Sequence, residues 1–347
     1  MASKIDVLRK KITKATTLLL MNKSQNHADF DPNIKKILIS RPNHRLGNQL
    51  LMLPLVKELE NKFPEAELYL FTKGTLSKVI FKEFSSVKGH FNLPKKHYSE
   101  LFSYLKVWFQ LAFTRFDLCV NTEINSSSGR LSCILPKSKY VINHEYNPDE
   151  FGIDAYKFKH IAIQPILRFR MFFKLKNQIN EDIPKLNIKT TLQEKKRGKE
   201  IIQQTKKRTD LKTICIFTNA TGQKKYSSEW WFEFLKPFEE STVEYEIIEL
   251  LPVENISQVN FKFPTIYSTD IREMAGIIEN VDCFITADCG VMHLSSATST
   301  PTVGLFKFMN IDNYRPYGGK NFAIQTKNLS PKEVFQKFIE LTNFIKL

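Results

Sequence analysis

The chain has 347 residues, 42% of them hydrophobic and 25% charged, with 28 Phe and a formal net charge of +15. That length exceeds the usual size of one hydrophobic core and predicts two domains, and the composition excludes an intrinsically disordered chain. No run approaches the roughly 18 apolar residues of a membrane span, and Leu18–Met21 is too short for a signal-peptide core, so a cytoplasmic protein is expected.

Five cysteines cannot all pair within one chain, and no CxxC pair occurs. Cys119, Cys215 and Cys283 lie in strand-like apolar runs, which reads as buried reduced thiols rather than disulfides or metal ligands. The basic surplus suits nucleic acid, an anionic membrane surface or phosphorylated substrates. No aromatic-basic recognition motif supports nucleic acid, so none is expected as a partner. Two segments set basic among apolar residues. In the arm 1–33, Ile5, Leu8, Ile12 and Leu19 mark one helical face, ringed by Lys4, Arg9, Lys10, Lys11 and Lys14. In Ile166–Lys176, Arg168, Arg170, Lys174 and Lys176 alternate with Leu167, Phe169, Phe172 and Phe173. Such segments can lie on the inner membrane, or can be packed surface helices.

From residue 34 a first domain is expected, to about residue 165. Ile34–Ser40 reads as a buried strand, Arg41–Gly47 as a turn, and Asn48 onward as a helix with Leu51, Leu55, Leu59 and Phe63 on one face, ended by Pro64. Leu68–Phe71 supplies the next strand, which completes a βαβ unit and demands a parallel sheet. Phe116–Asn121 reads as a further strand, followed by the polar loop Ile124–Arg130. A second domain is expected over 166–330, with a polar, Lys-rich stretch from Lys185 to Lys212 holding a solvated helix. Strands Thr213–Phe217, Tyr245–Leu250, Val281–Ala287 and Thr302–Phe306 then alternate with helices around Trp230–Leu235 and over Val291–Ser299. Asp270/Glu273 and Ser330/Glu333 have capping-box spacing, the latter with Pro at the first helical position, opening a final helix over 331–347.

In open parallel sheets ligands bind beyond the carboxyl ends of the strands, and three turns there carry chemistry. In Ala287–His293 a strand ends, Gly290 allows close backbone approach, and a helix opens whose free N–H groups suit an anion such as a nucleotide diphosphate. Asp288, Cys289, Gly290, Val291 and His293 are its candidate donor-binding residues; the plainer role is Asp288 as N-cap and His293 as packing. Phe217–Tyr226 presents Thr218, Lys224 and Lys225. A lysine beside a diphosphate offsets leaving-group charge, as a metal does elsewhere, and no DxD-type acidic pair lies near, so neither metal nor cofactor is expected. It also fits a solvated loop. Arg45–Leu50 presents Gly47, Asn48 and Gln49 at a helix start; a single Gly is a weak fingerprint, and Asn48 also reads as an N-cap.

Together these stretches resemble glycosyltransferase family 9, the lipopolysaccharide heptosyltransferases. Arg45-Leu46-Gly47-Asn48-Gln49-Leu50-Leu51-Met52-Leu53-Pro54 and Phe63-Pro64-Glu65-Ala66 look like its R-x-G-D-x-L-L-x-x-P turn and F-P-x-A helix end. Asp288 to Ala297, followed by Pro301 to Phe306, is similar to its D-T-G-x-x-H-L-A-A-A and P-x-V-x-L-F-G signature, with Cys289 in place of Thr. Lys224-Lys225-Tyr226-Ser227 before Trp230-Trp231 resembles its K-x-W-P element, and Ser128-Gly129-Arg130 its acceptor-side loop. The resemblance implies the GT-B fold, with two Rossmann-like parallel-sheet domains facing a cleft. It also implies inverting transfer without metal, an ADP-sugar co-substrate held by the second domain, and a glycolipid acceptor near Arg45, Gly47 and Arg130. The family's general-base Asp is Asn48 here, and an amide cannot accept the acceptor's proton. Three outcomes are open: Glu123 or His44 serves as base, Asn48 only orients the acceptor, or catalysis has lapsed in a nucleotide-sugar-binding protein. The Gly-Asn-Gln wording also resembles the GDP-binding stretch of bacterial fucosyltransferases.

Overall fold

A computed structural model of the chain describes residues 27–95, 100–152, 159–175, 178–179, 181–208, 210–240, 245–308 and 310–342. The basic face expected over residues 4–19 lies outside them. The chain divides into two compact units, Met1–Pro184 and Lys185–Leu347. The division falls later than the expected 165/166 boundary, and the final helix, Pro331–Thr342, belongs to the second unit.

In the first unit, strands β1 (Lys36–Arg41), β2 (Glu67–Lys73), β3 (Val87–Leu93), β4 (Arg115–Asn121) and β5 (Lys137–Ile142) form a parallel sheet in the order β3-β2-β1-β4-β5. The chain winds outward from β1 in one direction and returns to its other side through β4, so the order reverses between these two strands. The helix expected from Asn48 is two helices, Leu46–Leu50 and Leu53–Lys62. Pro54 sits in the first turn of the second, where its missing N–H costs nothing but stops the first from continuing. Half of the expected loop Ile124–Arg130 is likewise helical: Ser126 caps the helix Ser127–Ile134 by accepting from the Gly129 N–H at 3.2 Å.

The segment Ile166–Lys176 is not a membrane face over its described residues. Its helix, Gln164–Phe172, is buried from Pro165 to Phe172, arginines included. Arg170 makes a bidentate pair with Glu58 on the helix Leu53–Lys62, Nε to Oε1 at 2.7 Å and Nη2 to Oε2 at 3.0 Å. Its Nη1 donates to the carbonyls of Gln178 and Glu181. The alternation of basic and aromatic residues therefore reports arginines buried inside the unit, Arg170 fully paired there and Arg168 held by Gln164 at 2.7 Å and by Glu145 at 3.7 Å.

In the second unit, β6 (Lys212–Phe217), β7 (Tyr245–Leu251), β8 (Thr265–Tyr267), β9 (Cys283–Ala287), β10 (Thr302–Phe306) and β11 (Phe322–Gln325) form a parallel sheet in the order β11-β10-β9-β6-β7-β8. The reversal point lies between β6 and β9. The helix in the Lys-rich stretch, Leu192–Thr205, is docked rather than simply solvated. It crosses the helix Ile271–Ile278 at Gly198 and Gly276, and a Cβ on Gly198 would meet the Gly276 carbonyl oxygen at 2.0 Å. Arg272 pairs bidentately with Glu194 across the crossing, both contacts at 2.7 Å. Asp270 caps its helix, but Glu273 turns to the Ser268 hydroxyl, so that capping box is half formed; Ser330 and Glu333 form theirs completely. Cys119, Cys133, Cys215 and Cys283 are free and buried, and burial pushes the Cys215 and Cys283 thiols well above the ordinary range. No described helix is long and apolar enough to cross a membrane.

Two sets of substitutions test this packing by urea denaturation. Glu58→Gln leaves a buried guanidinium without its counter-charge and should cost about 3–5 kcal/mol, while the double variant Glu58→Leu/Arg170→Met should recover most of the loss. Gly198→Ala should cost about 1–3 kcal/mol by forcing two backbones apart.

Candidate functional site

Parallel strands bring their carboxyl ends to one edge, so each order reversal gathers two loops. In the second unit these loops are Thr218–Ser227, after β6, and Asp288–Cys289, after β9. The loop Lys307–Asn310 after β10 adjoins the second.

Lys224 closes the 3-10 turn Gly222–Lys224, and its Nζ lies 2.6 Å from Asp288 Oδ2. The Asp288 side chain is nearly buried, while that of Lys224 is 38% exposed. Asn310 Nδ2 donates to the same carboxylate oxygen at 3.2 Å, and the Tyr314 ring centroid lies 5.6 Å from Lys224 Nζ. Asp288 is therefore not the N-cap of the following helix, Gly290–Ser296; that position is Cys289, whose side chain makes no capping bond. The helix start at Gly290 thus stands beside the partly exposed Lys224 side chain, which is where a helix opening and an ammonium group could together meet an anion.

The other donor-side candidates divide. Gly290 is half-buried at the helix start, whereas Val291 and His293 are buried within it, His293 at 4% exposure. Cys289 contacts the Thr286 hydroxyl at 3.4 Å, and burial raises its thiol pKa. Thr218 is turned away from the edge: its hydroxyl donates to Glu249 Oε1 at 2.6 Å and accepts from the Gln258 N–H. Lys225 contributes its carbonyl, which accepts from Lys307 Nζ at 3.0 Å. Asn310, Tyr314 and Lys307 were not legible as site residues, because they enter from a third loop with no motif of its own.

In the first unit the loops after β1 and β4 meet through Arg41, the last, buried residue of β1. Its Nη2 donates to Asn48 Oδ1 at 2.7 Å and its Nη1 to Thr122 Oγ1 at 3.4 Å. Thr122 is itself tied to β1, its N–H and hydroxyl both donating to the Ser40 carbonyl. Half-buried Glu123 is the next residue along. Asn48 lies inside the helix Leu46–Leu50 and does not cap it; Arg45 holds the N-cap position, exposed and without a capping side chain, and Gly47 is buried. Arg130 is buried, donating from Nη1 to the Ile124 carbonyl at 2.6 Å and from Nη2 to the Ser127 hydroxyl at 3.0 Å. Its guanidinium stitches its own loop together. The His44 imidazole pKa is lowered, first by burial and then by Lys73, Lys95 and Arg45. A second buried guanidinium, Arg168, is held down to about 10, first by burial and also by Arg41. Two buried guanidinium groups, Arg41 and Arg168, thus lie near these loops, and Arg168 also faces Glu145 at 3.7 Å; Arg at the end of a buried strand was the signal that could have found the first. Among the described residues no group of three or more His, Cys, Asp or Glu side chains is placed to hold a metal ion.

The model of glycosyltransferase family 9 (heptosyltransferase) matches residues 105–342. The match takes in Lys224 and the Asp288–Ala297 signature and begins beyond Arg45–Pro54. Among solved structures, the chain is similar to the family 9 glycosyltransferase of Veillonella parvula DSM 2008, with a TM-score of 0.68 at 15% identity over 92% of this chain and 100% of that one. It is similar to ADP-heptose lipopolysaccharide heptosyltransferase II of E. coli, with a TM-score of 0.63 at 12% identity over 90% and 100%. Heptosyltransferase WaaC of E. coli, solved with ADP, gives 0.61 at 13% identity over 88% and 99%. No curated protein sequence matches the chain. At such identities the likeness speaks for the fold, and that fold, two parallel sheets of this order flanked by helices, is GT-B. With the family match spanning well over half of its length, the chain belongs to glycosyltransferase family 9.

Proposed function

We propose that the protein transfers a heptose-like sugar from a nucleotide-sugar donor, ADP-linked, to a lipopolysaccharide or related envelope glycolipid, by an inverting reaction that needs no metal. The observation that carries this reading is the Lys224–Asp288 pair at the order reversal of the second sheet. A diphosphate set at the Gly290 turn would lie within reach of Lys224, whose ammonium group has three donors and gives only one to Asp288. As the bond from the anomeric carbon to the diphosphate oxygen breaks, negative charge grows on the leaving oxygen, and a fixed cation stabilises that state more than the ground state. The ADP in the solved E. coli enzyme motivates the choice of base.

The acceptor side belongs to the first unit. The acceptor's hydroxyl attacks the anomeric carbon from the face opposite the diphosphate and must lose a proton. In this reading Glu123 takes it, while Asn48, oriented by Arg41, holds the acceptor. A carboxylate at position 48 would sit against the Arg41 guanidinium, which would lower its pKa. The amide at position 48, which cannot accept a proton, motivates a second reading, a nucleotide-sugar-binding protein that has lost catalysis.

Transfer assays with ADP-heptose and a deglycosylated lipid acceptor test these roles. Lys224→Ala should lower kcat by about 100-fold or more. Glu123→Gln should lower it by a similar factor with KM little changed. Asn48→Ala should cost only about tenfold. Equal turnover of the Lys224 variant contradicts the reading. Asn48→Asp separates the alternatives, since a working enzyme keeps or loses turnover and a lapsed one gains it.

A further inference from the structure

We propose that the outer face of the helix Leu101–Ala112, together with a basic depression at the amino edge of β1, β4 and β5, docks the protein onto an anionic lipid surface. This goes beyond the transfer reaction and does not rest on it.

The helix is apolar on two opposite sides. Its inner side, Tyr104, Val107, Trp108 and Leu111, packs on the core that includes Phe71 and Phe116. Its outer side faces solvent, with Leu101 58%, Phe102 84%, Leu105 56%, Phe109 67% and Phe113 75% exposed. A helix bordering water normally turns polar residues outward, and a contiguous apolar strip of this kind marks an interaction surface. Phe109 and Phe113 are already in contact, their ring centroids 4.6 Å apart. Between Leu101 and Phe116 the only charged residues are Lys106 and Arg115, both positive.

Charge decides what covers the strip. Arg115, two residues past Phe113, borders an open depression of about 500 Å³ whose lining includes Lys36, Lys137 and Lys139. Phe116 is shared by the depression and by the core beneath the helix. Of the acids nearby, Asp117 is occupied by the backbone N–H groups of Lys35 and Lys36, and Asp31 pairs with Lys139 at 2.8 Å. Four cations against these two leave a positive excess. A second copy would bring the same cations to the contact, and the chain as a whole carries +15. An anionic leaflet supplies both complements at once, phosphates for the depression and an acyl boundary for Phe and Leu, while lysine stems bridge the two depths. The helix follows β3, ending at Leu93, and precedes β4, starting at Arg115, so it runs antiparallel to the strands. Its first turn therefore lies toward the carboxyl edge that carries Asn48 and Glu123, and a lipid surface along it passes beside those loops.

Flotation with sugar-free vesicles tests the docking separately from catalysis. The wild-type chain should float with vesicles of phosphatidylglycerol and phosphatidylcholine in equal parts and not with phosphatidylcholine alone. Phe102→Gln/Phe109→Gln/Phe113→Gln should lower the bound fraction at least about tenfold, and so should Arg115→Glu/Lys137→Glu. Both variants should keep the wild-type melting temperature, since the replaced side chains face solvent. The proposal is overturned if the triple variant floats as well as the wild type, which would assign binding to the basic arm 1–33. It is equally overturned if the wild type does not bind, or if it sediments as a dimer that the triple variant dissociates.

Discussion

The contact on which the site of the second unit depends is the ion pair between Lys224 and Asp288. A nearly buried carboxylate is costly unless it is paired and hydrogen-bonded, and here one ammonium and one amide meet the same oxygen. The pair therefore ties the loop after β6 to the loop after β9 and draws the loop after β10 to both. It also fixes where the ammonium group stands before any ligand arrives. A cation positioned in advance spends no reorganisation at the moment a leaving group takes up charge, which is what separates catalysis from tight binding.

The first unit solves the corresponding problem with a neutral partner. Arg41 spans two loops by donating to an amide and a hydroxyl, Asn48 and Thr122. A second buried guanidinium, Arg168, acts on it and is itself paired with Glu145 at 3.7 Å. An Asp at position 48 would neutralise part of the Arg41 charge. The Asn instead leaves Arg41 a neutral acceptor, and in the proposed reading the acceptor's proton goes to Glu123.

Much of this was legible in the sequence, for reasons that can be traced. The β1 and β6 runs, the β9-to-Gly290 turn and the Ser330 capping box depend on short-range chemistry, and each formed where the residues indicated. The two loops that carry Lys224 and Asp288 were each read as site loops because both follow strands of a Rossmann-like order, but the ion pair between them was not expected. What escaped was nonlocal. Arg168 and Arg170 looked like lipid-facing cations because Glu58, which satisfies Arg170, lies 112 residues away. The helix Leu101–Ala112 gave no period to read, since it is apolar on both sides, and only its place at the sheet's flank reveals which side is left bare. The Lys-rich helix was expected to be solvated, because the Gly276 that receives its Gly198 lies 78 residues further along the chain.

The central claim is that the second unit grips a nucleotide diphosphate through Lys224. Calorimetric titration of the wild-type protein and of Lys224→Ala with ADP, and with adenosine as a control lacking phosphate, tests it most directly. The account predicts that ADP binds the wild type and loses at least about tenfold in affinity in the variant, with adenosine binding unaltered, as expected for one lost charge-assisted contact. ADP affinity that is the same in both proteins, or absent in the wild type, would contradict it.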